Sequence, residues 1–295
     1  MTTWSSLRQI VMLRWFAQWR LSDGQSAAVS LRTPRRNSSQ SPEMEPAQKM
    51  GLERELAATG NWLFRWRSFL PIVMVVGAIV SMLPAPVPNH DGLVSESLEA
   101  IALGISILGM VIRATTIGHT PARTSGRNTA SQVAESLNTT GIYSTVRHPL
   151  YLGNFLIGLG LACFTLSVSF VVIYVLTFWL YYERIMMAEE LFLRNKFGDL
   201  FNAWVQQTPA FIPSWKHYSA PELPFSLRNV LRREYNTLLQ IVVVGFILEF
   251  FGDWFDSGRI SVSAPWCIFL LIGTAAWGIL RILKRGTAVL EVEGR

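Results

Sequence analysis

The segment Gly141-Ile-Tyr-Ser-Thr-Val-Arg-His-Pro-Leu-Tyr-Leu-Gly153 sets an arginine, a histidine and a proline in a row at the mouth of a long apolar run, with tyrosines at 143 and 151. Pro149 has no N–H to lose and suits the first turn of a helix. Arg147 and His148 then stand just before a helix N-terminus. Free backbone N–H groups and the positive dipole end favour an anionic group there. A guanidinium beside that point can grip a carboxylate through two parallel hydrogen bonds. Further along, Glu189 and Glu190 lie about two helical turns beyond another apolar run. Ionisable residues this close to a bilayer are functional-site candidates. Taken singly, each has a plainer reading. Arg147 is an anchor, His148 a packing imidazole, the glutamates a solvated face, and Tyr143 and Tyr151 interface tyrosines.

What positions these residues must be a membrane scaffold. The chain has 295 residues, 50% of them hydrophobic and only 16% charged, against about 25% charged in a soluble domain. Six apolar runs, at 68–83, 98–118, 150–166, 169–182, 238–255 and 262–283, approach the length that crosses about 30 Å of hydrocarbon. Backbone groups in lipid must be satisfied internally, so the runs are helices. The expected fold is an all-α integral membrane protein of about six transmembrane helices with a cytoplasmic cofactor pocket. Arg65 and Arg67 precede the first run. Arg113, Arg123, Arg127 and Arg147 fall between the second and third. A basic series from Arg184 to Arg233 falls between the fourth and fifth, and Lys284 and Arg285 follow the sixth. The other connections carry only Arg259. By the positive-inside rule both termini and the two long loops, 119–151 and 183–215, are cytoplasmic.

The net charge of +6 is thereby explained by membrane topology. No basic run with interleaved aromatics suggests nucleic acid. Cys163 and Cys267 both sit in apolar runs, which excludes a disulfide framework and a cysteine zinc site. Four regions follow: 1–60, basic and disordered or wrongly started; 61–118, two spans; 119–215, the core with the polar loops and a helical hairpin; 216–295, a linker and a last pair of spans. The first 42 residues read as an amphipathic interfacial helix, an organelle transit peptide, or an over-extended start ahead of Met44 or Met50. Without a true transit peptide, a bacterial inner membrane is the expected location. Leu191, Phe192, Lys196 and Phe197 suggest an amphipathic helix under the membrane.

The motif G-x-Y-x-x-x-R-H-P-x-Y-x-G, followed after a hairpin by E-E and then F-G, resembles the isoprenylcysteine carboxyl methyltransferase and phospholipid methyltransferase superfamily, over about residues 104–215. The resemblance implies an integral membrane enzyme that moves a methyl group from S-adenosylmethionine to a lipid or prenyl-like acceptor, a carboxylate or an amine. It implies cofactor binding by Glu135, Ser136, Leu137, Asn138, Tyr143, His148, Pro149, Leu150, Tyr151 and Glu189. Arg147, His148 and Glu190 are the expected catalytic residues. The arginine that serves a substrate carboxylate in the isoprenylcysteine enzymes falls here on Ile185, with Arg184 its neighbour and the expected substrate contact. Glu189 would pair with the cofactor's ammonium, and a tyrosine ring would face its adenine or sulfonium. Glu190 or His148 would be the base for an amine acceptor.

Two other readings compete. A sterol-type NADPH reductase shares a similar membrane core, but carries asparagine directly before the tyrosine where this chain has Leu150. A scaffold or transporter would make use of charges within spans, of which Glu99, Arg113, Glu249 and Asp253 are the clear ones.

Overall fold

The computed structural model describes residues 46–83, 93–121, 124, 134–259 and 262–295. The expectations for residues 1–45 lie outside it. Residues 1–51 form a separate unit, of which only the start of the first helix is described. All else concerns the compact unit from Leu52 to Arg295.

Eight α-helices are described: α1 (Pro46–Trp66), α2 (Leu70–Met82), α3 (Leu93–His119), α4 (Pro149–Cys163), α5 (Val168–Phe197), α6 (Asp199–Gln207), α7 (Leu227–Ser257) and α8 (Ala264–Gly286). A single 3₁₀ turn, Gly141–Ser144, precedes α4. The described residues contain no strand. Helices α3, α5, α7 and α8 are long and apolar enough to span a bilayer. The pair α1 and α2, bent by 77°, supplies a fifth span if it crosses as one. The bend falls where Pro71 enters the first turn of α2, as a residue without an N–H must. With 13 and 15 residues, α2 and α4 reach about 20 and 22 Å. All six apolar runs are helical, but these two are too short to cross alone.

Two boundaries differ from the sequence reading. Helix α5 does not stop at 182. It continues without a break to Phe197, and Gly198, at φ 54°, then turns the chain into α6. The amphipathic helix is therefore α6, and Glu189 and Glu190 ride on the transmembrane helix itself. Helix α7 starts eleven residues earlier than the apolar run suggested, at Leu227. Ser226 caps it, its Oγ accepting from the Asn229 N–H at 3.3 Å.

Small residues bring α3 and α4 together. A side chain at Gly109 would meet the Gly153 carbonyl at 2.6 Å and the Ile157 nitrogen at 2.7 Å. Ser106 Oγ donates to the Ile157 carbonyl at 3.0 Å. Close backbone approach of this kind suits lipid, where no hydrophobic effect drives helix against helix. It also places Arg113 of α3 over the second turn of α4. The core is aromatic: Phe155 of α4 and Tyr174, Phe178 and Tyr182 of α5 pack on one another and on Phe211, with Phe178 and Tyr182 stacked at 4.1 Å.

Candidate active site

The loop after α6 folds back and fixes the Arg-His-Pro turn. Arg147 N–H donates to the Pro209 carbonyl at 2.9 Å and His148 N–H to the Ala210 carbonyl at 3.2 Å. Ser214 N–H donates to the Thr145 carbonyl and Gly141 N–H to the Ser219 carbonyl, both at 2.9 Å. This corrects one expectation. The N–H groups of Arg147 and His148 are not open to an external anion, because the polypeptide has already used them. The negative charge at the start of α4 is internal, supplied by α5.

Adjacent residues on a helix point about 100° apart, so Glu189 and Glu190 cannot face the same way. Glu190 reaches behind the turn. Its Oε2 accepts from Arg147 Nη1 at 3.0 Å, and its Oε1 lies 2.9 Å from His148 Nε2. Glu189 faces forward, with Oε2 3.6 Å from His148 Nδ1. That oxygen is buried and has no hydrogen bond among the described residues. His148 is 4% exposed and bracketed by both carboxylates. Burial alone would lower its pKa. Its interactions with the two carboxylates, a hydrogen bond to Glu190 and the nearby charge of Glu189, outweigh burial and raise it to about 9. Its ring stacks on Tyr151 at 5.6 Å, and Tyr151 packs on Tyr182 at 5.1 Å.

These residues open onto a cavity of about 870 Å³, large for a small-molecule site. Its polar end is lined by Ser136, Leu137, Asn138, Tyr143, Arg147, His148, Pro149, Leu150, Tyr151 and Glu189. Lys196 of α5 donates to the Ala134 carbonyl and anchors the strip that carries Ser136 to Asn138. Trp204 Nε1 donates to the Tyr143 carbonyl at 3.0 Å and ties α6 to the 3₁₀ turn. The cavity then runs down between α2, α4, α5 and α7, past Tyr182, Phe178, Tyr174 and Phe170 on one stripe of α5. From Glu189 to Phe170 that stripe covers about 28 Å at 1.5 Å per residue.

Three expected site residues do not line this cavity. Glu135 is exposed beside the lining strip. Glu190 supports Arg147 and His148 from behind. Arg184 lies under α1, where Gly60 abuts its carbonyl, and Ile185 is fully buried in the core. Conversely, the structure brings in Arg113 and Glu234. Arg113 donates through Nε and Nη2 to the two Glu234 oxygens, each at 2.8 Å, and through Nη1 to Asn154 Oδ1 at 2.6 Å. Glu234 was concealed because α7 begins before its apolar run. Glu249, one of the span charges that a transporter would use, accepts from Ser263 Oγ at 3.0 Å and does not line the cavity.

The phospholipid methyltransferase family matches residues 99–200, which hold the turn, its helix and both glutamates. Across 217 residues the chain is 30% identical to the cobalt-zinc-cadmium resistance protein CzcN of Cupriavidus metallidurans, covering 73% of this chain and 94% of that protein. The chain belongs to the isoprenylcysteine carboxyl methyltransferase and phospholipid methyltransferase superfamily. It is 30% identical over 150 residues to the nickel-cobalt-cadmium resistance protein NccN of Alcaligenes xylosoxydans xylosoxydans, covering 50% of this chain and 62% of that one. It is 29% identical over 121 residues to the protein-S-isoprenylcysteine O-methyltransferase of Schizosaccharomyces pombe, covering 39% of this chain and 49% of that enzyme. The chain thus spans less than two thirds of NccN and about half of the yeast enzyme. No solved structure matches. Within the superfamily segment lie Arg113, Asn154 and every polar-end residue just named; Glu234 and the α7 wall lie beyond it.

Proposed function

We propose that the protein methylates a lipid or lipid-like acceptor, carboxylate or amine, at the expense of S-adenosylmethionine. One observation carries this reading: a single cavity joins the polar turn, Glu189 and the Ser136–Asn138 strip to an apolar slot between transmembrane helices. A water-soluble, zwitterionic donor and a hydrocarbon-tailed acceptor need that combination. The residues fit the donor. Glu189 offers a carboxylate with one buried oxygen lacking a hydrogen bond, suited to an ammonium. Tyr143 and Tyr151 give aromatic faces to a cation or an adenine. When bound, S-adenosylmethionine supplies an electrophilic methyl group on a sulfonium.

The chain's own contribution is placement. His148, held near 9, is an imidazolium at neutral pH and cross-links α4 to α5 through both carboxylates. Glu190 and Arg147 fix that cross-link from behind, so Glu189 is presented to the cavity at a set depth. Alignment of two reactants in such a frame is worth about 7–11 kcal/mol in favourable cases. The apolar slot excludes water from the acceptor end, which strengthens every charge interaction there. The basic loops support a cytoplasmic polar end, and a bacterial inner membrane is the proposed location.

The two metal-resistance relatives support an added reading, in which the modified acceptor contributes to metal tolerance. Among the described residues no group of three or more His, Cys, Asp or Glu side chains is placed to hold a metal. On this reading the link therefore runs through the acceptor. A deletion strain with unchanged growth in cobalt or cadmium would remove it. The principal test is transfer of a radiolabelled methyl group from S-adenosylmethionine into total lipid extract by the purified protein, with NADPH consumption followed in parallel. Labelled lipid is the expected result. NADPH consumption without label would move the protein to the reductases.

A further inference from the structure

Helix α1 carries two different stripes. Ala57, Gly60 and Phe64, spaced by three and four, are buried. A side chain at Gly60 would strike the Arg184 carbonyl and meet Ala188 Cβ at 3.0 Å, so α1 lies directly on the backbone of α5. Tyr181 Oη of α5 donates to the Leu63 carbonyl at 2.7 Å and holds it there. The second stripe is Trp62 and Trp66, continued past the helix end by Phe69. These side chains are 60%, 49% and 55% exposed. Their rings follow one another with centroids 6.2 and 5.4 Å apart. Asn61 and Arg65, both exposed, stand beside them. A contiguous aromatic patch of this size marks an interaction surface.

Depth and direction say what covers it. Helix α5 starts at Val168, at the end away from the polar turn. Arg184 and Ala188 stand about 24 and 30 Å along it at 1.5 Å per residue, where about 30 Å of hydrocarbon ends. Seated on those two residues, α1 is level with the headgroups. It meets α2 at 77°. Helix α2 is apolar and leaves Ile72, Val73, Val76 and Val80 exposed, as a helix in lipid does. A helix at 77° to it runs close to the membrane plane. Tryptophan suits that level, with its ring in the apolar edge and its N–H toward water. Crossing as a span would instead draw Glu55, Arg65 and Arg67 into hydrocarbon, at high cost.

We propose that α1 is an interfacial helix, and that its Trp62–Trp66–Phe69 face docks on the phospholipid headgroup layer of the membrane that holds the protein, with Arg65 at the phosphates. The same helix roofs the cavity. Phe64, Arg67 and Ser68 line it, and Arg67 Cζ stands 3.9 Å over the Phe64 ring. The membrane surface and the cavity therefore share one element, which the lipid seats from outside and α5 from below. This surface is independent of the reaction that the cavity carries out.

The test uses full-length protein in vesicles of phosphatidylcholine and phosphatidylglycerol. Cys163→Ala and Cys267→Ala clear the background, and a single nitroxide is attached at Trp66→Cys. Nitroxides at Val80→Cys and Asn202→Cys, both exposed positions, give the hydrocarbon and aqueous references. Relative accessibility to oxygen and to a water-soluble nickel chelate measures depth. The label at 66 should lie about 5–10 Å below the phosphates, and the label at 80 about 15 Å deeper. Nickel access at 66 equal to that at 202 would leave the face in water and overturn the proposal. A depth equal to that at 80 would make α1 part of a span and overturn it as well. Dipolar broadening between labels at 66 on neighbouring chains would give the face to a second copy, with the same consequence. The native side chains supply a second measurement. The fluorescence lost in the double variant Trp62→Phe with Trp66→Phe should, in the parent, be quenched more by lipids brominated near the headgroup than by lipids brominated at the chain end. Quenching by aqueous iodide alone, or stronger quenching from the chain end, would overturn the docking.

Discussion

The His148 clamp should come apart with alkali, and Glu190 should set how much. In the folded protein His148 titrates at about 9, against an ordinary value of 6.5. A raised histidine pKa means that folding binds a proton more tightly. The resulting stabilisation is whole below pH 6.5 and is lost progressively as pH rises through 9. The shift of about two and a half pKa steps corresponds to about 3 kcal/mol, an order of magnitude only, since three charged groups share the proton. Glu190→Gln keeps the side-chain shape and removes the charge 2.9 Å from His148 Nε2. His148 should then titrate well below 9, held up by Glu189 alone, and the alkaline loss of stability should shrink. Arg147, only 12% exposed, also loses its Glu190 partner. Stripping one member from a buried ion pair typically costs about 3–5 kcal/mol, so the variant should be less stable at every pH. Thermal unfolding in detergent between pH 6 and 10 gives the stability profile, and histidine-labelled NMR gives the pKa directly. A His148 pKa at or below 6.5 in the wild type, or the same alkaline slope in both proteins, would refute the clamp.

The other expected outcomes concern the frame around it. Glu234→Ala leaves Arg113 without its bidentate partner and should destabilise by about 3–5 kcal/mol, whereas Arg113→Met with Glu234→Leu should recover most of that; thermal unfolding of the three variants checks both. Gly153→Val places a side chain against the Arg113 aliphatic stem and the Gly109 carbonyl, and should cost about 1–3 kcal/mol by overpacking, read from the same scans. Gly141→Ala forces a Cβ onto φ 61° beside Pro221; it should cost about 1–2 kcal/mol and weaken binding of S-adenosylhomocysteine, because Tyr143 stands in the same 3₁₀ turn.

The motif residues were legible because their chemistry is local. Pro149 marks a helix start, and the Arg-His pair stands before it wherever the rest of the chain goes. That Glu189 belongs with His148 was carried by the family resemblance, and α5 delivers it. What sequence could not show was direction. The resemblance gave Glu189 and Glu190 different roles, but only the rotation between neighbours on α5 separates the one facing the cavity from the one behind the turn. Arg184 is likewise off the cavity lining, since its place on the helix sets its backbone against Gly60 of α1. The partnership of Arg113 with Glu234 was hidden because polar residues at the head of α7 look like loop. Backbone donors at the start of α4 looked open to an anion because nothing local reveals that Pro209 and Ala210, sixty residues on, return to accept from them.

The measurement that reaches the central claim most directly is calorimetric titration of the detergent-solubilised protein and its Glu189→Ala variant with S-adenosylhomocysteine. The proposed site predicts micromolar binding to the wild type and about a hundredfold loss in the variant, as expected when a buried charged partner is removed. A folded wild type that does not bind, or a variant that binds equally well, would contradict the site built on Glu189, His148 and the turn that holds them.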